Sequence, residues 1–280
     1  MADTAFQKQY RQEYIAGFES GDSPLRMSVT TEFVRKGNEA IFLVADSGSA
    51  EARTRGVNGL ITARSDNLTQ NTATLVEWHD LVRKTDFNIF ASQGDQKRIM
   101  QDTSLKVMNR KIDSDIITEL ATGTVDTGAA ATGSLALVTK ALGILGLAKV
   151  PIQEIENMWG LITPAMYAYM LRDATFTSAD YVDVKPLSGG ALKRVLRWAG
   201  INWLMHPDLP GVGTNAEKCF LYHKASIGHA ADTENLVSLV GYDEEQGYSW
   251  ARASAFMGSE LLQNSGVVVI NHDGSAIVGA

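Results

Sequence analysis

Gly59-Leu-Ile-Thr-Ala-Arg-Ser-Asp66, Thr72-Ala-Thr-Leu-Val-Glu-Trp78 and Asp80-Leu-Val-Arg-Lys-Thr-Asp-Phe-Asn-Ile-Phe90 read as an extended, alternating ribbon. From Gly94 the pattern turns helical. Leu105, Met108, Ile112, Ile116 and Leu120 step by 3, 4, 4 and 4, a single apolar stripe. Lys111 with Asp115 and Arg110 with Asp113 are expected on the wet face, each pair worth about 0.3 kcal/mol. A helix of about 25 residues spans roughly 37 Å, the diameter of a small domain. A ribbon feeding a stiff charged helix holds no chemistry of its own. It is built to lie against something else.

Working outward, Val29–Phe33 and Ala40–Val44 are candidate strands. Between Ala45 and Asn58 runs a polar loop with Glu51, Arg53 and Arg55, so residues 35–78 read as a hairpin-like arm. Residues 1–29 read as a second arm. Phe6, Tyr10, Tyr14 and Phe18 recur every four residues, one face of a short amphipathic helix that Gly21-Asp-Ser-Pro24 stops.

Downstream, Thr122–Ser134 reads as a small-residue linker and a subdomain boundary. A helix from Leu135 to about Lys149, a strand at Met158–Thr163 and a helix at Ala165–Arg172 follow, Pro164 suiting a first helical turn. Thr175–Leu187 is expected to be irregular. Leu196–Met205 is an aromatic strand closed by a His206–Gly211 turn, Lys218–Tyr222 a further strand, and His223–Ala231 the start of a helix. Ser249–Met257 and Gly266–Asn271 are the last strands, with a turn at Asp273-Gly274. Segregated strands and helices make the fold class α+β.

Composition narrows the function. The 280 residues are 45% apolar and 20% charged, ordinary globular material with room for a real core. Against 25 Lys+Arg stand 32 Asp+Glu, a net charge of −7. That argues against a dedicated nucleic-acid binder, which needs a basic face, yet suits a wall facing packed DNA without sticking to it. The single Cys219 excludes an internal disulfide and fits a cytoplasmic origin. No signal peptide opens the chain, and the longest apolar tract, Leu135–Val150, is broken by Lys140 and two glycines. A soluble protein without membrane partners is expected.

No motif carries catalysis. The glycines at 123, 128 and 133 lack the Gly-Lys-Ser/Thr ending of a phosphate loop, and a flexible linker is the expected role. The five histidines make no His-Glu-x-x-His set. His206 with Asp208, and Cys219 with His223, are the nominees for an acid–base, metal or nucleophilic pair. Pro207 and Pro210 favour a turn for the first, and a strand-like setting favours a buried structural thiol for Cys219. Asn271-His-Asp-Gly274 is a turn signature. No Gly-x-Ser-x-Gly elbow marks a serine nucleophile. The five tryptophans are not interleaved with basic residues and are expected in cores or subunit contacts. No cofactor is implied.

The order of parts resembles the major capsid proteins of tailed bacteriophages, which share the Hong Kong 97 fold. The residues carrying the likeness are Gly59–Asp66, Asp80-Leu-Val-Arg83 running into Phe87-Asn-Ile89, Val107-Met-Asn-Arg-Lys-Ile-Asp113, and Gly200-Ile-Asn-Trp203 with the Pro207–Gly211 turn. The resemblance implies an N-terminal arm at 1–29. Residues 30–125 would hold the E-loop (35–78) and a P-domain with its spine helix (94–120). An A-domain would cover 126–235, and 236–280 would supply returning strands.

It further implies a structural subunit, not an enzyme, assembling as pentamers and hexamers into an icosahedral head around double-stranded DNA. Assembly in the host cytoplasm is expected, with scaffolding, portal and decoration proteins as further partners. The chain opens directly with the arm and carries no built-in acidic or coiled-coil scaffold, which leaves a separate scaffold and a cleaved precursor both open. Nothing in the sequence assigns a Lys–Asn cross-link. Glu51, Arg53 and Arg55 at the arm tip, with Phe6, Tyr10 and Tyr14, are the expected inter-subunit contacts. An encapsulin-like compartment shell and a soluble α+β hydrolase are the alternative readings.

Overall fold

The computed structural model describes residues 22–34, 36–47, 50–61, 63–92, 95–173, 196–232 and 236–278. Its chain enters through a 3-10 turn at Leu25–Ser28 and β1 (Thr30–Phe33). Strands β2 (Glu39–Asp46) and β3 (Asn67–Thr74) form an antiparallel ribbon, Glu39 opposite Thr74 and Asp46 opposite Asn67. The expected strand at Gly59–Asp66 is not one. Gly56 N–H bonds the Leu60 carbonyl and Gly59 N–H bonds that of Gly56, with Gly59 at φ 72. That turn takes Leu60 and Ile61 out of the ladder, and the more polar Asn67–Thr74 pairs with β2 instead.

Strand β4 (Val76–Thr85) and the short α1 (Asp86–Ala91) lead to α2 (Gln96–Ala121), the long helix expected from the stripe. Its N-cap Asp95 accepts the Arg98 N–H, satisfying one of the free donors of the first turn. Its 26 residues span about 39 Å at ~1.5 Å each. Met108, Ile112, Ile116 and Leu120 are buried as their spacing requires, and Lys111 pairs with Asp115 at 3.1 Å. Asp113 departs from expectation: it is only 2% exposed and turned inward.

The remaining elements are β5 (Ala131–Thr132), α3 (Leu135–Leu147), β6 (Met158–Ile162), α4 (Pro164–Arg172), β7 (Leu196–Trp198) and β8 (Ile201–Met205). After them come β9 (Glu217–His223), β10 (Ile227–Ala231), β11 (Ser238–Asp243), β12 (Tyr248–Leu261), β13 (Val267–Asp273) and α5 (Ser275–Val278). Two sheets result. In the first, β12 pairs with β4 along one edge, while β11 and then β10 share its other edge, with β1 outside β10. The second sheet is ordered β5-β13-β9-β6-β8-β7.

Helix α2 lies between them. Its stripe shares one core with Ala253, Ala255 and Met257 of the first sheet and Leu204, Phe220, Tyr222 and Val267 of the second. The small alanines on β12 let the helix axis come close. A second core, under α3 and α4, fills the far face of the second sheet with Leu145, Met166, Trp203, Leu221 and Ile270.

Four local expectations are corrected. His223–Ala231 is a 3-10 turn followed by β10, because a strand there joins β1 to β12 in one sheet. Leu196–Met205 is a two-strand hairpin, turned by Ala199 and Gly200 at φ 53 and 74. The Thr122–Ser134 stretch is no flexible linker. Asp126 bridges Val269, Thr127 is buried, and Ala131–Thr132 adds a strand beside β13. His272 lies inside β13, so the turn begins only at Gly274. The readings at Phe6–Phe18 and Thr175–Leu187 lie outside the described residues.

Candidate assembly surfaces

The hairpin β2–β3 has two unlike faces. Directly opposed residues of an antiparallel pair share a face. One face carries Ala40 with Ala73 and Phe42 with Asn71, and it seats the ribbon root on the first sheet. Gly228 makes room for the Phe42 ring, and Asn71 Nδ2 donates to the Leu262 carbonyl at 3.1 Å. The other face presents Ile41, Leu43 and Leu68 to solvent, the first two 57% and 60% exposed.

Beyond the ribbon the chain makes the turn at Gly56–Leu60. Val57, Leu60 and Ile61 are exposed, and Glu51 and Arg53 lie exposed beside them. Arg55 Nη1 donates to the Gly59 carbonyl at 3.2 Å, and Arg64 binds Asp66 at 2.8 Å. Phe6, Tyr10 and Tyr14 lie outside the described residues.

A second open surface is the face of the first sheet turned away from α2. Leu81, Leu239 and Phe256 are exposed on it, Arg83 stacks over the Tyr248 ring at 5.0 Å, and His79 links Glu77 and Ser254 at 2.8 Å each. At its far end Phe87 and Phe90 of α1 stand in solvent, Phe90 89% exposed. Leu60, Ile61, Leu81 and Phe87 lie in the stretches that carry the resemblance, but none of these apolar residues was read from sequence as a contact. Their signal was present as the alternation of Ile41 and Leu43, but alternation alone does not say which face finds a cover.

The nominated chemical pairs do not form. His206 Nδ1 accepts the backbone N–H of Asp208 at 3.2 Å, and its Nε2 faces Asp113. Cys219 is buried and donates weakly to Thr163 Oγ1 at 3.8 Å; burial pushes its thiol up to about 12, so it stays protonated and inert. His223 faces Glu154 at 3.5 Å instead of Cys219. Two polar pairs went unread in the sequence, Asp113 with His206 and Glu217 with His272, because their partners lie 93 and 55 residues apart.

Among the described residues no three His, Cys, Asp or Glu side chains converge as metal ligands. A hollow between Leu135, Val138, Met170, Asp173 and Trp198 is apolar and has a volume of only about 10 Å³, scarcely the room of one water. No described helix is long and apolar enough to cross a membrane. What the surface offers is exposed apolar side chains on the hairpin and on the outer face of the first sheet.

The fold has close counterparts. Mycobacterium phage Che8 superposes with a TM-score of 0.74 over 96% of this chain and 98% of that one, at 17% identity. The capsid of Cyanophage P-SCSP1u gives 0.67 over 95% and 93% at 14% identity, and the capsid of a native GTA particle gives 0.70 over 96% and 95% at 14%. A search of curated proteins returns no match. The family model described as phage capsid protein matches residues 2–274, nearly the whole chain. This bears out the Hong Kong 97 resemblance and sides with a phage head over the encapsulin-like reading. The chain belongs to the phage capsid protein family, as a major capsid protein of a phage head.

Proposed function

We propose that copies of this chain close as rings of five and six into an icosahedral head around double-stranded DNA, the hairpin arm of each copy lying on its neighbour. One observation carries this reading: the ribbon Glu39–Thr74 turns Ile41, Leu43 and Leu68 into solvent and ends in a charged tip that also exposes Val57, Leu60 and Ile61. A two-stranded ribbon is marginal by itself, and an exposed apolar face on an arm gains most by being covered by a partner. Head-to-tail contacts of this kind close into rings when the rotation allows, and a related GTA capsid was computed with C5 symmetry. Linked contacts then reinforce one another, each further one being effectively intramolecular.

In this reading residues 1–29 are the N-terminal arm and 35–78 the E-loop. The long helix is the spine of a P-domain within 30–125, an A-domain covers 126–235, and 236–280 return strands to both. Glu51, Arg53 and Arg55 supply charged contacts at the arm tip, and Phe6, Tyr10 and Tyr14 apolar ones on the other arm. The subunit performs no catalysis. It assembles in the host cytoplasm, with scaffolding, portal and decoration proteins as partners, and its net charge of −7 keeps contact with packaged DNA non-specific.

Deleting residues 45–58 tests the reading. The monomer's circular dichroism should be retained while particles and rings disappear from sedimentation and negative-stain images. Assembly that survives the deletion overturns the role of the arm.

A further inference from the structure

Asp113 sits in the C-terminal half of α2, between the two sheets, and its carboxylate is divided between two separate pieces of chain. Oδ1 accepts the Ser23 hydroxyl at 2.6 Å and the Leu25 N–H at 3.3 Å, both from the segment that enters the body. Oδ2 faces His206 Nε2 at 3.3 Å, at the end of β8 in the second sheet. His206 Nδ1 accepts the Asp208 N–H, so the ring proton sits on Nε2 and is donated to Asp113. The entering segment is fastened along its length. Leu25 and Val29 are buried in the shared core, Ser28 Oγ meets the Tyr222 hydroxyl at 2.5 Å, and Thr30 Oγ1 donates to the Lys224 carbonyl.

We propose that residues 22–29 form a strap and that Asp113 couples it to the second sheet. A carboxylate is planar and rigid, so its two oxygens cannot serve the strap and His206 independently. When the strap is drawn off Oδ1, the carboxylate reorients and the hold on His206 weakens. Drawing the second sheet away from the helix releases the strap in the same manner. The device gives the chain ahead of Asp22 a way to reach the joint between the sheets.

The occupant that draws the strap is a second copy of this chain, which rests on the shell reading above. Coupling of this sort is reciprocal by necessity: the factor by which the strap affects the His206 segment equals the factor in the other direction. A hydrogen bond to a charged group contributes enough that losing one changes local opening roughly tenfold or more.

Hydrogen exchange on the full-length protein tests it, comparing wild type with Ser23→Ala, His206→Ala and Asp113→Asn. Ser23→Ala alters only the strap, yet the amides of His206 and Asp208 should exchange about tenfold faster. His206→Ala should raise exchange at Leu25 by a similar factor. A fastening without coupling gives the opposite result, each substitution loosening its own segment alone, and that overturns the proposal. Asp113→Asn should loosen both segments; if it does not fold, the two outer variants decide the matter unaided.

In negative stain, Ser23→Ala should still form particles, with a wider spread of diameters than wild type. Particles as uniform as wild type would remove the strap's link to a second copy. Wild-type protein that forms no particles under any condition defeats the shell reading, while the exchange result continues to decide the coupling.

Discussion

Glu217 Oε2 lies 2.9 Å from His272 Nδ1, with both side chains sealed from solvent. The same carboxylate accepts the Thr163 hydroxyl at 2.6 Å and the Gly213 N–H at 2.7 Å. Thr163 also caps α4 by accepting the Met166 N–H. One buried acid therefore ties together the start of α4, the loop before β9 and the C-terminal end of β13.

Removing the acid strands three donors in the interior. Glu217→Ala is expected to cost about 3–5 kcal/mol, the range for breaking one side of a buried pair. Urea denaturation followed by circular dichroism measures it. A loss below about 1 kcal/mol would show that the carboxylate is dispensable.

Acid should weaken the fold through His229. This side chain is fully buried on β10 with Nδ1 at 2.9 Å from Ser259 Oγ, and burial first, then the Arg26 charge, push its pKa down to about 4. Above about pH 6.5 the ring is neutral in both states and exerts no pH dependence. Between 6.5 and 4 the unfolded chain takes up a proton that the folded chain refuses, so stability falls as pH falls. The loss reaches roughly 2–3 kcal/mol near pH 4. Urea midpoints from pH 7.5 to 4.5, compared with His229→Gln, should show a shallower acid slope in the variant.

Trp203 and Gly160 are neighbours on β8 and β6, and a β-carbon at Gly160 would overlap the indole. Gly160→Ala should destabilise by about 1–3 kcal/mol through overpacking. Its thermal midpoint, and the Trp203 fluorescence, report both the loss and the displaced ring.

Ala199 holds φ 53 beside Gly200 in the β7–β8 turn. An alanine there carries a left-handed cost that glycine does not, so Ala199→Gly is expected to raise stability by up to ~1 kcal/mol despite glycine's looser unfolded chain. Differential scanning calorimetry decides the sign.

Ile41 and Leu43 separate folding from assembly. Both point away from the body, so replacing the pair with Ser should leave the monomer's stability within about 0.5 kcal/mol. Particle yield should collapse. Unchanged yield would show that this face stays bare in the shell.

The long helix was legible because its signal is local: five apolar positions at helical spacing suffice, and burial followed them. The hairpin was half legible. Ala40–Val44 announces a strand, but the returning ribbon reads as Gly59–Asp66 and Thr72–Trp78, whose apolar residues look more strand-like than the polar Asn67–Asn71 that begins its true partner. Ladder pairing, not residue type, settled that choice. His223–Ala231, rich in small residues, reads locally as helix. It is a strand because β1 and β12 flank it and leave no room for a helix.

The sequence by itself determined the long helix and the strand at Ala40–Val44, because periodicity is written along the chain, and its order of parts carried the resemblance to phage capsid proteins. Only the tertiary structure decided that Asp113 turns inward to His206, that Glu217 meets His272, and which face of the arm remains uncovered. Each depends on partners dozens of residues apart, and a side chain's choice between water and an interior partner is made only when the sheets close around it.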